Sequence, residues 1–282
     1  MRIVVASGKG GTGKTLVATS LAWYRAAQGA GVTYVDADVE EPNGHLFLKP
    51  SFDATRRLAV QVPRLQGQCD SCGRCQEACA FHALLAVKGK ILVFPELCHS
   101  CGACVTACRA DVLQMGPREI GTVREGRAGP LGFRDALLDV GEARATPLIE
   151  AVVRDPGEGL VLVDAPPGTS CPAVAAVRGS DLAVLVTEPT PFGLHDLDLA
   201  VRMCRALKVP PVVVVNRCDL GEGVDEALAG MQVPIVARIP FDRRIAGATA
   251  RGEIAVQSVP GFLEGVGGLS RALESFLPEA RS

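Results

Sequence analysis

The chain has 282 residues, 48% of them hydrophobic, with 29 basic against 31 acidic side chains. That size and apolar fraction suit a globular protein with a full core, and the near-neutral balance gives no basic footprint for nucleic acid. No run of about 18 apolar residues is present to cross a membrane as a helix, so neither nucleic acid nor membrane is expected as a partner.

The N-terminus runs straight into an apolar strand, Ile3 to Ala6, without the basic start, apolar stretch and cleavage site of a secretory signal, and a cytoplasmic protein is expected. Ser7 to Thr15 then reads S-G-K-G-G-T-G-K-T. From Gly8 to Thr15 it fits G-x-x-x-x-G-K-[ST], ahead of the helical spacing of Leu16 to Gln28. In that strand–loop–helix context Gly8, Gly10, Gly11 and Gly13, with Thr12 among them, let backbone N–H groups approach phosphates. Lys14 reaches the β and γ oxygens, and the Thr15 hydroxyl ligates Mg²⁺. ATP and Mg²⁺ are the expected cofactors. A second apolar strand, Val32 to Asp36, ends in Asp36-Ala37-Asp38.

The strand–helix alternation stops near Arg57 and resumes after about Met115. Between them Cys69, Cys72, Cys75 and Cys79 repeat as Cys98, Cys101, Cys104 and Cys108, with the same offset of 29 residues at all four positions. Crowded cysteines in a chain of this kind favour metal over disulfides. Zinc sites use separated C-x₂-C pairs, so close triplets suit an iron–sulfur cubane better. Residues 118 to 140, rich in Gly and Arg, read as surface strands or loops.

Alternation then returns. Leu160 to Asp164 is an apolar strand ending in an acid, followed by Ala165-Pro166-Pro167-Gly168, and Cys171 lies seven residues beyond Asp164. Leu182 to Thr187, Val212 to Asn216 and Ile235 to Ile239 are further apolar runs, with Leu194 to Leu207 helical in spacing. Continuous rather than alternating hydrophobicity implies strands covered on both faces. The last helix, Phe262 to Leu277, is amphipathic but carries only Arg271 as a basic residue, so it reads as a packing helix rather than a membrane-seeking tail. The four histidines lack partner spacing and receive no role.

With Lys9 five residues before Lys14, the loop is the deviant K-G-G-x-G-K-[ST] form and resembles the MinD/ParA family over residues 1–57 and 117–282. The resemblance implies an α/β fold: a doubly wound, mostly parallel-sheet P-loop NTPase. It also implies that Lys9 reaches the nucleotide of a facing subunit in an ATP-dependent homodimer. Asp38 matches the switch I acid that positions the attacking water, so Lys9, Lys14 and Asp38 are the expected catalytic residues. Asp164 and Gly168 match Walker B and switch II, with Asp164 holding Mg²⁺ directly or through water and the Gly168 backbone sensing the γ-phosphate. Asn216, Arg217 and Pro240 match segments beside the adenine.

Each cysteine run has the C-x₂-C-x₂-C-x₃-C spacing of bacterial two-cluster ferredoxins, and residues 58–116 resemble an inserted small α+β ferredoxin-like domain. By that resemblance Cys69, Cys72, Cys75 and Cys108 hold one [4Fe–4S] cluster, and Cys98, Cys101, Cys104 and Cys79 hold the other. The proline that follows the fourth cysteine in such ferredoxins is Ala80 in the first run and Arg109 in the second.

The two halves imply an ATPase that gates electron transfer, with an unspecified redox partner. Assembly or delivery of metal centres to an apo-protein is the alternative, although the late C-x-x-C of Mrp-type carriers is not matched by Cys204 and Cys218. A redox-sensing positioning ATPase is the third reading. The subunit-bridging cluster of the nitrogenase iron protein has no counterpart, because its second cysteine position is Ala136. Cys171 reads as a packed or switch-adjacent thiol.

Overall fold

The computed structural model describes residues 1–154, 159–221 and 224–276; Leu277, expected to end the last helix, lies outside them. In chain order, β1 (Arg2–Ala6), α1 (Lys14–Ala27), β2 (Val32–Asp36) and α2 (Gly44–Leu48) open the fold. A long strand β3 (Ser51–Leu65) leads to the cysteine segment, with α3 (Arg74–Glu77), β4 (Leu84–Val87), β5 (Lys90–Val93) and α4 (Ala103–Thr106). The chain returns along β6 (Leu113–Ala128), turns into β7 (Leu131–Leu138), and continues with α5 (Thr146–Val153), β8 (Leu160–Asp164) and α6 (Cys171–Val177). It closes with β9 (Leu182–Thr187), α7 (Pro191–Ala206), β10 (Pro211–Asn216), α8 (Val224–Met231) and β11 (Ile235–Ile239). The last helices are α9 (Arg243–Ala250), α10 (Ala255–Ser258) and α11 (Pro260–Glu274).

The main sheet has nine strands in the order β11-β10-β9-β1-β8-β2-β7-β6-β3. From β11 to β7 all neighbours are parallel, and β6 and β3 continue the edge antiparallel. Successive residues of β1 face opposite cores: Ile3 and Val5 pack with α1 and α11, while Val4 and Ala6 pack with α5, α6 and α7. That double burial is why the central strands are uninterrupted apolar runs. In α11, Phe262, Val266, Leu269 and Leu273 share one buried stripe against the first core, as expected of a packing helix.

Residues 118 to 140 depart from the expected surface segment. They form most of β6 and all of β7, which lies inside the sheet between β2 and β6. Its charges face inward: Asp135 is fully buried, and Arg124 of β6 donates to it at 2.9 Å. A cross-strand pair thus satisfies a carboxylate that looks solvent-facing in sequence.

Only Gly121 to Ala128 of β6 pair with β7, whereas β3 pairs with β6 from Ser51↔Arg127 to Leu65↔Leu113. Beyond Gly121 the two strands leave the sheet as a ribbon that carries the cysteine segment, and the register shifts there, between Leu58 and Ala59. The expected limits at 58 and 117 fall within this ribbon. The sequence repeat is also a backbone repeat. Ser71 and Ser100, Gly73 and Gly102, and His82 and Asp111 all have positive φ, each pair 29 residues apart. A third core closes the segment, formed by Val62, Ala83, Leu84 and Leu113 with Cys75, Cys79, Cys98 and Cys104.

Candidate functional site

The loop between β1 and α1 lies at the C-terminal ends of the parallel strands, with the N-terminus of α1 facing a cavity of about 590 Å³. Gly10, Gly11, Gly13, Lys14, Thr15 and Asp38 line the cavity. Asn216, Arg217, Pro240, Phe241, Ile245 and Thr249 line it as well. A Cβ on Gly10 or Gly11 would meet nothing within 4 Å, so this stretch of loop faces open space, as phosphate binding by backbone N–H groups requires.

Gly13 is held from behind. Its φ is +92°, and a Cβ there would lie 2.4 Å from Nδ2 of Asn216, which donates to the Thr12 carbonyl at 2.8 Å. Gly13→Ala is therefore expected to lower the unfolding free energy of the nucleotide-free protein by at least about 1–2 kcal/mol, from left-handed backbone strain and the displaced amide. Gly10→Ala should leave it within about 0.5 kcal/mol of the parent. Urea unfolding of both variants checks this, and equal losses would mean that Asn216 does not brace the loop.

Lys14 is buried, and its Nζ lies 2.6 Å from Oδ1 of Asp164, whose Oδ2 accepts the Tyr34 hydroxyl at 2.9 Å. Burial works against the lysine's charge, but the Asp164 contact and the nearby Asp36 and Asp38 outweigh it and hold the ammonium above its ordinary pKa. Asp36 is fully buried and ties down the segment that follows β2. Its Oδ2 accepts Asn43 N at 3.0 Å and Gly44 N at 2.8 Å, and its Oδ1 accepts Asp38 N at 3.2 Å. Desolvation, followed by the Asp164 charge, pushes the Asp36 carboxyl up to about 8. Burial also raises Asp38, against the opposing pull of Lys14.

Other expected residues stand back from the cavity. Gly8 packs on the α7 backbone at Asp196, Thr12 is buried, and Gly168 N donates to the Ser7 carbonyl at 2.9 Å. Lys9 turns inward, with its Nζ 3.7 Å from Glu188, a carboxylate that also pairs with Arg217. Sequence reasoning missed Tyr34, Phe47 and the α9 wall of Ile245 and Thr249. Tyr34 lies within an apolar strand, where nothing marks a hydroxyl aimed at Asp164.

In the cysteine segment all eight thiols are unpaired. Burial raises the Cys75 thiol, followed by its neighbours Cys69 and Cys108; burial likewise raises Cys104, followed by Cys98 and Cys101. Cys108, the last cysteine of the second run, packs against the same small core as Cys75 of the first. Among the described residues no three His, Cys, Asp or Glu side chains converge at the spacing of a single metal ion. A cubane is different: its cysteines ligate four separate irons, so their sulfurs stand further apart. Backbone donors point at the sulfurs, from Ser71 to Cys69 at 3.3 Å, Ser100 to Cys98 at 3.4 Å and Ala83 to Cys79 at 3.3 Å. The donor set fits a [4Fe–4S] group, which prefers thiolates with N–H donors around them.

Cys171 is exposed at the start of α6, and Ala136 is fully buried in β7. Among the described residues no helix is long and apolar enough to cross a membrane.

A glycine-rich loop between a parallel strand and a helix, with a lysine facing an aspartate at the end of a neighbouring strand, defines a P-loop nucleotide-binding protein. The model of the CobQ/CobB/MinD/ParA nucleotide binding domain matches residues 3–256, and the chain belongs to that family. It is 29% identical over 286 residues to an uncharacterized protein of Methanocaldococcus jannaschii, covering 98% of each. It is 27% identical over 270 residues to the iron-sulfur cluster carrier protein of Pyrococcus abyssi, covering 89% of this chain and 77% of that one. The septum site-determining protein MinD of Pyrococcus horikoshii, solved with Mg-ADP, superposes with a TM-score of 0.61 at 21% identity, covering 97% and 95% of the two chains. That likeness carries the fold, including the mostly parallel sheet.

Proposed function

We propose that the protein is an ATP-hydrolysing iron–sulfur protein whose nucleotide state gates electron transfer through two [4Fe–4S] clusters. The observation that carries this reading is the pair of four-cysteine runs, repeated in backbone as in sequence, at the end of a ribbon continuous with the nucleotide-binding sheet. Residues 58–116 form the cluster module, and 1–57 with 117–282 form the ATPase. Cys69, Cys72, Cys75 and Cys108 hold one cluster; Cys98, Cys101, Cys104 and Cys79 hold the other.

When bound, Mg²⁺ neutralises charge on the β and γ oxygens, and the clusters supply one-electron storage. The protein's own groups do the rest. The Gly10–Gly13 backbone cradles phosphates, Lys14 leaves Asp164 for the β and γ oxygens, and Thr15 and Asp164 serve the metal. Asp38 orients the attacking water, while Asn216, Arg217 and Pro240 border the base. Lys9 exchanges Glu188 for the nucleotide of a second copy in an ATP-dependent homodimer. Gly168 releases Ser7 to meet the γ-phosphate.

Delivery of a cluster to an apo-protein is the second reading, favoured by the carrier proteins among the relatives. One experiment separates them. Cluster-loaded protein hydrolysing ATP anaerobically beside an apo-ferredoxin is expected to keep its iron over many turnovers. Reduced beforehand with dithionite and freed of the excess, its clusters should pass their electrons to a viologen acceptor faster with ATP and Mg²⁺. Iron appearing in the acceptor would favour delivery, and an ATP-independent rate with the iron retained would sink the gating.

A further inference from the structure

Arg144 occupies the turn between β7 and α5, outside every motif named above. Its Nη1 donates to the Cys98 carbonyl. Its backbone N and Nε donate to Oε1 of Glu142, at 3.0 and 3.4 Å, and Glu142 is itself buried and shared with Arg118. The remaining nitrogen, Nη2, is buried without a partner, and so is the Ser100 hydroxyl two residues beyond Cys98. A guanidinium has no acceptor capacity, so a buried, unspent N–H beside a cysteine loop suits an acceptor such as a cluster sulfur.

The sister site is built differently. Ser71, the counterpart of Ser100, already accepts from Gly89 N. Among the described residues no arginine or lysine hydrogen-bonds to the Cys69 loop. Cys79 accepts Ala83 N at 3.3 Å, while Cys108 receives no such bond from Val112, the residue 29 positions beyond Ala83. The Cys98 site therefore has more donors as well as a largely buried cation. Both stabilise the extra negative charge of a reduced cluster, and a low-dielectric surrounding strengthens them. Deeper burial of Cys98 and Cys79 works the other way by desolvating that charge, but the cation sharing the same desolvated space offsets it.

The same turn touches both nucleotide switches. Leu138 N, at the end of β7, donates to the Val39 carbonyl at 2.9 Å, one residue after Asp38. Ala145, next to Arg144, lines a crevice of about 190 Å³ together with Asp38, Glu41, Pro166 and Pro167. Residues 138–145 thus have one end on switch I, a flank against switch II and a side chain on the Cys98 loop.

We infer that Arg144 is a positioning residue through which the nucleotide switches set the reduction potential of the Cys98–Cys101–Cys104–Cys79 cluster, leaving that of the Cys69–Cys72–Cys75–Cys108 cluster unchanged. The inference rests on the two-cluster ATPase reading above. The couple is one-electron, the cluster core passing from 2+ to 1+, and Arg144 sets how tightly that electron is held.

The test is an EPR-monitored redox titration of the full chain, with dithionite as the electron donor, in nucleotide-free, Mg-ADP and Mg-ATP forms. Wild type is expected to give two midpoints, of which one moves with Mg-ATP by at least tenfold in the reduced-to-oxidised ratio, about 59 mV. Cys101→Ser should remove the moving signal. In Arg144→Gln the midpoint of that cluster falls without nucleotide and no longer responds to Mg-ATP. Arg144→Lys restores the nucleotide-free midpoint, because the charge returns, but not the full response, because one ammonium cannot span Glu142 and Cys98. If Arg144→Gln fails to load iron, Arg144→Lys carries the test alone. Two midpoints moving together, or a wild-type response in the variants, overturns the inference. Wild-type protein without cluster iron overturns the reading beneath it instead.

Discussion

Lys14→Ala is expected to lower ATP hydrolysis by about 10²–10³-fold, as removal of one preorganised charge-stabilising donor does. It should also destabilise the empty protein by about 3–5 kcal/mol. The second effect follows from the pair with Asp164. Both side chains are nearly inaccessible, at 9% and 1%, so removing the lysine strands a carboxylate that, among the described residues, keeps only the Tyr34 hydroxyl as a side-chain partner. The double variant Lys14→Ala with Asp164→Asn removes the stranded charge and keeps an acceptor for Tyr34. It should recover most of the stability and none of the hydrolysis. Urea unfolding without nucleotide, with a phosphate-release assay in parallel, reads both. A single variant as stable as wild type would mean that the pair is not maintained in solution.

Cysteine substitution has the other large effect, and crossing the runs makes it diagnostic. Cys108→Ser is expected to reduce iron from roughly eight to roughly four atoms per chain. Adding Cys69→Ser should cost nothing further, because both thiols serve one cluster. Adding Cys98→Ser instead should remove nearly all the iron. Ligation within each run predicts the reverse, so the two double variants decide between the arrangements by iron analysis alone. Because Cys75, Cys79, Cys98 and Cys104 are part of the third core, loss of iron should also loosen the ribbon tip, readable as faster amide exchange around Val62 and Leu113.

The nucleotide half was legible where side chains act through local spacing. The loop, Lys14 and the strand-end Asp164 lie within runs whose pattern needs no partner to interpret. The cysteines were legible because a 29-residue repeat survives in the sequence and returns in the positive-φ positions of Ser71 and Ser100. What escaped depends on contacts made across the fold. In β7 the alternation of Arg134 and Asp135 hides a buried strand, because the charge that satisfies Asp135 comes from Arg124 on a neighbouring strand. The first residues of β3 are exposed along the sheet edge and look like a polar loop. Lys9 stands out in the loop sequence, but its partner Glu188 lies just after β9, beyond the reach of any motif.

The strand order also sets a schedule for biosynthesis. β1 has β8 and β9 as its only sheet neighbours, and β2 has β7 and β8, all of which follow the cysteine segment in the chain. A ribosome therefore completes both cysteine runs before the nucleotide-binding sheet can be assembled. Roughly 36 residues separate the end of β6 from the end of β8, a delay on the order of 2–7 s at ordinary elongation rates. During that interval the thiols stand on a hairpin whose partner sheet does not yet exist. On the two-cluster reading the thiols are open to loading then, and protein made without iron is expected to keep β3 paired with β6 while its cysteines remain open to oxidation.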